Sequence, residues 1–190
     1  MRTFIAIELE PGVKRPLLKL LRELPQSRDI RWCAENQLHL TLKFLGDVGD
    51  TVLPKVCDAV AAASAQVEPF PVSIAGLGCF PGPRNPRVLW CGVEDATAGC
   101  RRWVDLADPL FAELNFKPET RAFTPHITLG RNRSTAGGRV MQDVLETTTL
   151  PATAEMLVTQ VIVFESRLSP SGAVYKPLAT IRLGGREESR

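Results

Sequence analysis

The chain has 190 residues, of which 44% are hydrophobic and 23% charged, and its net charge is +2. These values are ordinary for a globular protein of one domain or two small lobes, and they argue against a polycation that wraps a long duplex. No apolar run is long enough to span a membrane, and five scattered cysteines without a CxxC pair favour reduced thiols in the cytoplasm.

The hydrophobic pattern predicts strands and helices in the order β-α-β-β-α-β-β-α-β-α-β-β. In chain order, the predicted segments are a strand over 2–8, a helix from Pro11 to about Pro25, strands over 30–33 and 38–45, a helix capped by Asp50 or Thr51, strands over 70–77 and 87–93, a helix over 97–115 kinked or broken at Pro109, a strand over 122–131, a helix over 139–146, and strands over 155–165 and 173–183. The three tryptophans are expected to pack in cores.

One tetrapeptide pattern occurs twice, 87 positions apart, and it contains both histidines of the chain. HLTL begins at His39 and HITL begins at His126. The recurrence predicts two similar lobes within a single domain over 1–183, of the α+β class, with antiparallel sheets and helices packed outside. The charged end of the chain, 184–190, has no apolar anchor and is expected to be a frayed tail.

On a strand, each motif presents an imidazole and a hydroxyl on one face and two aliphatic side chains on the other. His39 and Thr41 therefore share a face, as do His126 and Thr128. A single such motif is typical of an ordinary strand, but two by chance have a probability on the order of one in several thousand. If the lobes face each other, the two pairs line one cleft.

Displacement at phosphorus is the chemistry that this cleft suits. A neutral imidazole takes a proton from water while an imidazolium gives one to the leaving oxygen, and two hydroxyls donate to the non-bridging oxygens. Histidine can do either near neutral pH. The reaction needs no metal and no cofactor, and with only two distant histidines no metal site is expected.

The motifs and their surroundings resemble the two-histidine (2H) phosphoesterase superfamily, and within it the bacterial and archaeal RNA 2′,3′-cyclic phosphodiesterases, historically called 2′-5′ RNA ligases. The matching segments run from about residue 3 to residue 178: FIAIEL, HLTLKFLG, GLGCFP, PRVLWCGV, FTPHITLGR and SRLSPSGAVYKPL. The resemblance implies a bilobal, pseudo-twofold α+β fold in which two antiparallel sheets face a central groove. It also implies metal-independent hydrolysis of a 2′,3′-cyclic phosphate at an RNA end to a 2′-phosphate.

By position, the resemblance makes His39 the proton donor to the departing 3′ oxygen and His126 the proton acceptor from water, with Thr41 and Thr128 holding the phosphate. The residues alone leave the two histidine roles open, because the motifs are nearly symmetric and the reverse ligation would exchange them. RNA or oligonucleotide ends are the expected partner. A monomer is expected.

Four further residues are candidate substrate contacts. Lys43 has the strand parity of His39 and reaches a phosphate or lies in solvent. Phe44 has the parity of the aliphatic residues and packs in the core or stacks on a base. Arg131 matches an arginine that often closes the second motif in the family; a bulge near Gly130 would turn it toward a phosphate or ribose.

Tyr175 matches a family position near the groove, and a buried structural tyrosine is the alternative. Gly130 stands where the family more commonly has alanine. Two other functions stay open: a 2H hydrolase of a small cyclic nucleotide, and a non-catalytic nucleotide- or RNA-binding module that kept the groove. Two intact motifs argue against the binding module, since a binder need not keep two proton carriers.

Overall fold

The structure is a computed structural model that describes residues 1–151, 153, 155–169 and 172–185. These residues form nine strands and four α-helices. In chain order they are β1 Arg2–Glu8, α1 Pro11–Glu23, β2 Ile30–Trp32, β3 His39–Asp47, α2 Leu53–Ser64, β4 Phe70–Phe80, β5 Val88–Glu94, α3 Gly99–Glu113, β6 His126–Asn132, α4 Thr135–Thr147, β7 Met156–Val158, β8 Gln160–Ser169 and β9 Gly172–Arg182. Short 3-10 turns occupy Glu35–Gln37 and Leu183–Gly185.

The strands pair antiparallel in the order β7-β4-β5-β6-β3-β1-β8-β9, and β2 adds to β6. The two lobes expected from the repeat are the two halves of this order, and they meet where β3 pairs with β6 through Leu40 and Ile127. The α+β class is therefore confirmed, and the two expected sheets are joined by hydrogen bonds at the motif strands. This junction brings the starts of the two motifs side by side.

One face of the sheet carries the main core, where helices cover it. The largest fully buried side chains include Trp103 and Phe111 of α3, Leu17 of α1, and Leu40 and Ile127 of the motif strands. Burying one such side chain contributes about 1.5–3 kcal/mol. The opposite face carries the histidines and threonines of the motifs and forms the groove, which α3 borders on one side.

Several element ends differ from the sequence prediction for local reasons. The predicted cap of α2 by Asp50 or Thr51 is wrong: the first turn bonds through backbone groups, with Leu53 N donating to Gly49 O at 3.1 Å. α3 is not broken, since it runs through Pro109 to its end. α4 starts early because the Ser134 hydroxyl caps it, accepting a bond from Gly137 N at 3.0 Å.

The last strands of the chain also differ from the sequence prediction. The strand predicted over 155–165 is two strands, since β7 pairs with β4 while β8 pairs with β1 and β9. Gly184, expected in a frayed tail, lies in a 3-10 turn and donates from its backbone N to Val67 O at 2.8 Å. The rest of the expected tail, 186–190, lies outside the described residues. Across the described part of the chain, none of the helices has the length and apolar character needed to cross a membrane.

Candidate active site

The first four residues of β3 and of β6 alternate as the sequence predicts. His39 and Thr41 are half-buried on the groove face, as are His126 and Thr128. The aliphatic residues between and after them are buried in the core. Because Leu40 pairs with Ile127, both imidazoles and both hydroxyls lie on one face of adjacent strands.

Each imidazole is held by a backbone carbonyl two residues before it. His126 Nδ1 lies 2.7 Å from Thr124 O, and the ring of His39 hydrogen-bonds to the backbone of Gln37. A ring N–H that donates to a carbonyl fixes the tautomer. The other nitrogen of each ring is left to accept or deliver a proton.

Aromatic rings from other strands of the sheet surround both histidines. Tyr175 meets His39 edge-on at 5.1 Å between ring centroids, and Phe4 lies 5.0 Å away. Phe80 meets His126 edge-on at 5.0 Å, and Trp90 lies 5.8 Å away. Tyr175 is thus placed next to a histidine, as expected.

The contacts of Phe4 and Phe80 with the histidines were not predicted from the sequence, and Trp90 was expected in a core. Strand pairing, which the local sequence pattern does not show, places two of them: Phe4 of β1 lies opposite Phe44, and Trp90 of β5 lies opposite Thr128. A Cβ at Gly78 would overlap the Trp90 ring, so glycine leaves the space in which that ring lies flat beside the groove.

This environment disfavours the charged form of both imidazoles. Burial is the main cause that lowers the pKa of His39 from its ordinary 6.5 to about 4; the Gln37 carbonyl opposes it, and the positive charges of His126 and Arg131 act in the same direction as burial. Burial also lowers the pKa of His126, helped by Arg131 and opposed by the Thr124 carbonyl. Both rings are therefore neutral at neutral pH when the groove is empty.

A bulge at the same place in each motif changes the alternation after the fourth residue. In β3, Thr41 pairs with Ala6 and Lys43 with Ile5, so Leu42 is the extra residue. In β6, Leu129 is the extra residue in the same way, between the residues that pair with Trp90 and Leu89 of β5. A bulge inserts one unpaired residue and reverses the facing of the residues after it.

The bulge makes the parity prediction for Lys43 wrong. Lys43 lies opposite the fully buried Ile5, is only 7% exposed, and its Nζ donates to Asp108 Oδ1 of α3 at 2.6 Å. It therefore reaches the groove only at the α3 wall, with its charge paired. The alternative of a solvated lysine is also excluded.

The same bulges turn Phe44 and Arg131 toward the groove. Phe44 is 62% exposed, so its expected core position is wrong, and its ring lies 5.8 Å from that of Phe4. Arg131 is exposed opposite Val88, and its charge acts on both histidines. Phe44 and Arg131 occupy equivalent positions in the two motifs.

Two cavities flank the histidines. One of about 630 Å³ is lined on the His126 side by residues that include Thr41, Phe44, Phe80, Arg121, His126 and Arg131. The other, of about 660 Å³, contains His39 and Tyr175 in its lining. Among the described residues, no carboxylate pairs with Arg121 or Arg131, whereas Arg101 on the same wall binds Asp105 at 2.8 Å. The first cavity thus offers two unpaired guanidinium groups.

The side chains that could bind a metal or act as nucleophiles are not gathered in the groove. Within the residues that the structure describes, no three His, Cys, Asp or Glu side chains are grouped to hold a metal ion. All five cysteines are free thiols. Burial raises the pKa of Cys33, near the groove, to about 11, so it stays a thiol.

Two equivalent His-x-Thr-x motifs lie on paired antiparallel strands and face one groove. This arrangement defines a phosphoesterase of the two-histidine class. The chain belongs to the LigT like Phosphoesterase family, whose pattern it matches over residues 7–90 and 92–175, with one motif in each segment.

Relatives and solved structures agree with this membership. The chain is 31% identical to the RNA 2′,3′-cyclic phosphodiesterase of Methanothermobacter thermautotrophicus, over 96% of this chain and 99% of the relative. It is 29% identical to the enzyme of the same name from Thermotoga maritima, over 97% of each. TT0787 of Thermus thermophilus has a TM-score of 0.81 at 26% identity, covering 98% of this chain and 100% of that one. E. coli LigT complexed with 3′-AMP shares the fold, with a TM-score of 0.77 at 24% identity over 96% and 97%.

Proposed function

We propose that this protein hydrolyses 2′,3′-cyclic phosphate ends of RNA or oligonucleotides to 2′-phosphomonoesters, without a metal or cofactor. The observation that carries the proposal is the pair of imidazoles on adjacent strands, each held by the carbonyl two residues before it and each accompanied by a threonine hydroxyl. The similarity to the RNA 2′,3′-cyclic phosphodiesterases of Methanothermobacter and Thermotoga supports the same activity.

In this mechanism His126 is the proton acceptor and His39 the proton donor. Neutral His126 takes a proton from water as the water oxygen bonds to phosphorus, and the bond from phosphorus to O3′ breaks. His39, as imidazolium, gives its proton to O3′, so the 2′-phosphate and a 3′-hydroxyl are formed. Thr41 and Thr128 donate to the non-bridging oxygens, where charge increases in the transition state. In 2′-5′ ligation a 5′-hydroxyl would take the place of water and the histidines would keep these roles, whereas cleavage of the 2′-5′ bond back to the cyclic phosphate would exchange them.

The negative charge of the substrate favours the imidazolium form that His39 needs as proton donor. His39 is neutral in the empty groove because burial lowers its pKa to about 4. A phosphodiester anion between the rings raises the pKa of both imidazoles, since an opposite charge favours the protonated form. The groove therefore favours acid–base catalysis only when it is loaded.

The cavity beside His126 favours an RNA end over a single small nucleotide. Arg121 and Arg131 are unpaired within the described residues and can contact the phosphate or ribose of a strand, and exposed Phe44 offers a stacking surface. Lys43 adds little to this binding because Asp108 neutralises it. Tyr175 borders the substrate on the His39 side. The protein is also proposed to be a monomer and to lie in the cytoplasm. The location rests on the five free thiols, which are typical of a reducing compartment.

The test uses purified protein, EDTA and an oligoribonucleotide that ends in a 2′,3′-cyclic phosphate, with the product identified as 2′- or 3′-phosphate. We expect a 2′-phosphate at an unchanged rate in EDTA, and loss of turnover but not of RNA binding in His39→Ala and His126→Ala. Gln66→Ala is the control that should change nothing, because Gln66 lines neither cavity beside the histidines. Turnover that survives both histidine substitutions would refute the mechanism.

The same assay separates the alternatives. Binding without ring opening would make the chain a binding module. Faster turnover of a mononucleotide 2′,3′-cyclic phosphate than of the oligonucleotide would make it a small-nucleotide hydrolase.

A further inference from the structure

A side-chain link joins the turn before β3 to the hairpin of β8 and β9. The Gln37 amide Nε2 donates to Ala173 O of β9 at 2.8 Å, and its Oε1 accepts from Ala34 N at 3.1 Å. The first bond spans 136 residues of sequence. β9 lies at the end of the strand order and pairs only with β8, so Gln37 provides a second attachment for the hairpin near Gly172.

Both sides of this link contact His39. The backbone of Gln37 hydrogen-bonds to the His39 ring, and Tyr175, two residues after Ala173, meets that ring edge-on at 5.1 Å. Residues two apart on a strand share a face, so the same stretch of β9 that receives the amide also presents Tyr175 to the histidine. Tyr175 is also held at 4.9 Å from Phe4, which lies 5.0 Å from His39.

We propose that Gln37 is a positioning residue for His39. Its carbonyl holds one ring nitrogen, and its side chain fixes the strand that places Tyr175 against the ring. The inference deepens the proposed function and rests on it. Without the amide, the turn and the hairpin can move independently, and the imidazole samples orientations and tautomers that do not face the phosphorus.

Only two histidines occur in the chain, which makes the proposal directly measurable. In protein labelled with ¹⁵N at the imidazoles, the ring-nitrogen shifts report the tautomer of each histidine, and His126 serves as the internal reference. The variants are Gln37→Ala and Gly172→Ala. A Cβ at Gly172 would overlap the Arg31 guanidinium and lie 3.1 Å from Gln37 Nε2, so this second variant disturbs the same contact from the hairpin side.

The matched control is Gln66→Ala, whose amide also donates to a backbone carbonyl, Ala62 O at 3.1 Å, and which lines neither cavity beside the histidines. In Gln37→Ala and Gly172→Ala we expect the His39 signals to show a mixture of tautomers while the His126 signals stay unchanged. We expect kcat on the cyclic-phosphate oligonucleotide to fall about five- to tenfold, as for a small misplacement of a reacting group. Gln66→Ala should leave both readouts unchanged.

Unchanged His39 signals and unchanged kcat in both variants would overturn the proposal. So would equal disturbance of both histidines, which would indicate general loosening of the fold rather than positioning. If the wild-type protein does not open the cyclic phosphate, the proposed function fails, but the imidazole spectra still decide whether Gln37 orients His39.

Discussion

The protonation of His39 should depend on whether the groove holds an anion. With a pKa of about 4, roughly one chain in a thousand carries the imidazolium at pH 7 in the free protein. For half of the chains to be ready as proton donors at pH 7, the pKa must rise by about 3, which corresponds to about 4 kcal/mol. Two opposite charges about 4 Å apart interact by about 4 kcal/mol at an effective dielectric constant of 20. One phosphate anion in contact with the ring is therefore sufficient.

The assay is an NMR titration of the two histidines, free and saturated with a nucleoside 2′-phosphate. We expect the pKa of His39 to be strongly lowered in the free protein and to rise toward neutrality with the anion bound. Calorimetry in buffers of different ionisation enthalpy should show proton uptake on binding at pH 7. A nucleoside without phosphate is the control and should leave the titration unchanged. An ordinary pKa of His39 in the free protein would refute the dependence on a bound anion. A pKa that stays low with the anion bound while turnover proceeds at pH 7 would show that His39 is not the donor.

The same lowered pKa gives the fold a pH dependence with a definite sign. Between pH 6.5 and about 4 the unfolded chain binds a proton at this residue and the folded chain does not, so stability is lost as the pH falls through that window. At about 1.4 kcal/mol per pH unit, the loss is up to roughly 3 kcal/mol. Urea unfolding at several pH values should show this slope, and His39→Asn should flatten it. Equal slopes in the two proteins would contradict the assignment.

Three substitutions test other features of the site. Asp108→Asn leaves the buried Lys43 ammonium unpaired and should lower the free energy of unfolding by about 2 kcal/mol, less than for a fully buried pair because Asp108 is partly exposed. The double variant Lys43→Met with Asp108→Leu should recover most of this stability, and no recovery would argue against a charge effect. Gly130→Ala places a Cβ against the Trp32 ring and should cost about 1–2 kcal/mol in urea unfolding; no loss would show that the ring moves freely. Phe44→Ala, at an exposed position, should leave stability within about 0.5 kcal/mol and raise KM for the oligonucleotide roughly tenfold, but not for a mononucleotide. An equal rise for both substrates would show that Phe44 does not stack on a neighbouring base.

The sequence was sufficient to predict the motif strands because four residues of a strand alternate strictly. His39, Thr41, His126 and Thr128 face one way for that reason alone, and their repeat indicated two halves. The residue pattern within a segment does not show which strands pair or in which register. The bulges fall on leucines, which carry no turn signal, and they arise from how β1 and β5 pair with the motif strands.

Partners that are distant in sequence account for the other errors. Lys43 was expected in the groove by parity, but its partner Asp108 lies 65 residues away on α3. Phe80 reaches His126 from another strand of the same half, and nothing near either residue in the sequence indicates the contact. The expectation for Arg131 was correct, since a bulge next to Gly130 turns it toward the groove, although the extra residue is Leu129 and Gly130 stays paired with Leu89.

The two halves of the sheet differ in the side chains that can orient a nucleotide in the groove. Each has a histidine held by a carbonyl, a threonine two residues later and a bulged leucine, so these parts alone would bind a phosphate equally well in two orientations. After the bulge, one half presents Phe44 and the other Arg131. Under the proposed function, an aromatic ring on one side and an unpaired guanidinium on the other make the two orientations of a nucleotide unequal in energy. Under the proposed function, the division of labour between His39 and His126 therefore depends on equivalent positions such as Phe44 and Arg131, where the halves carry different chemistry, rather than on the motifs themselves.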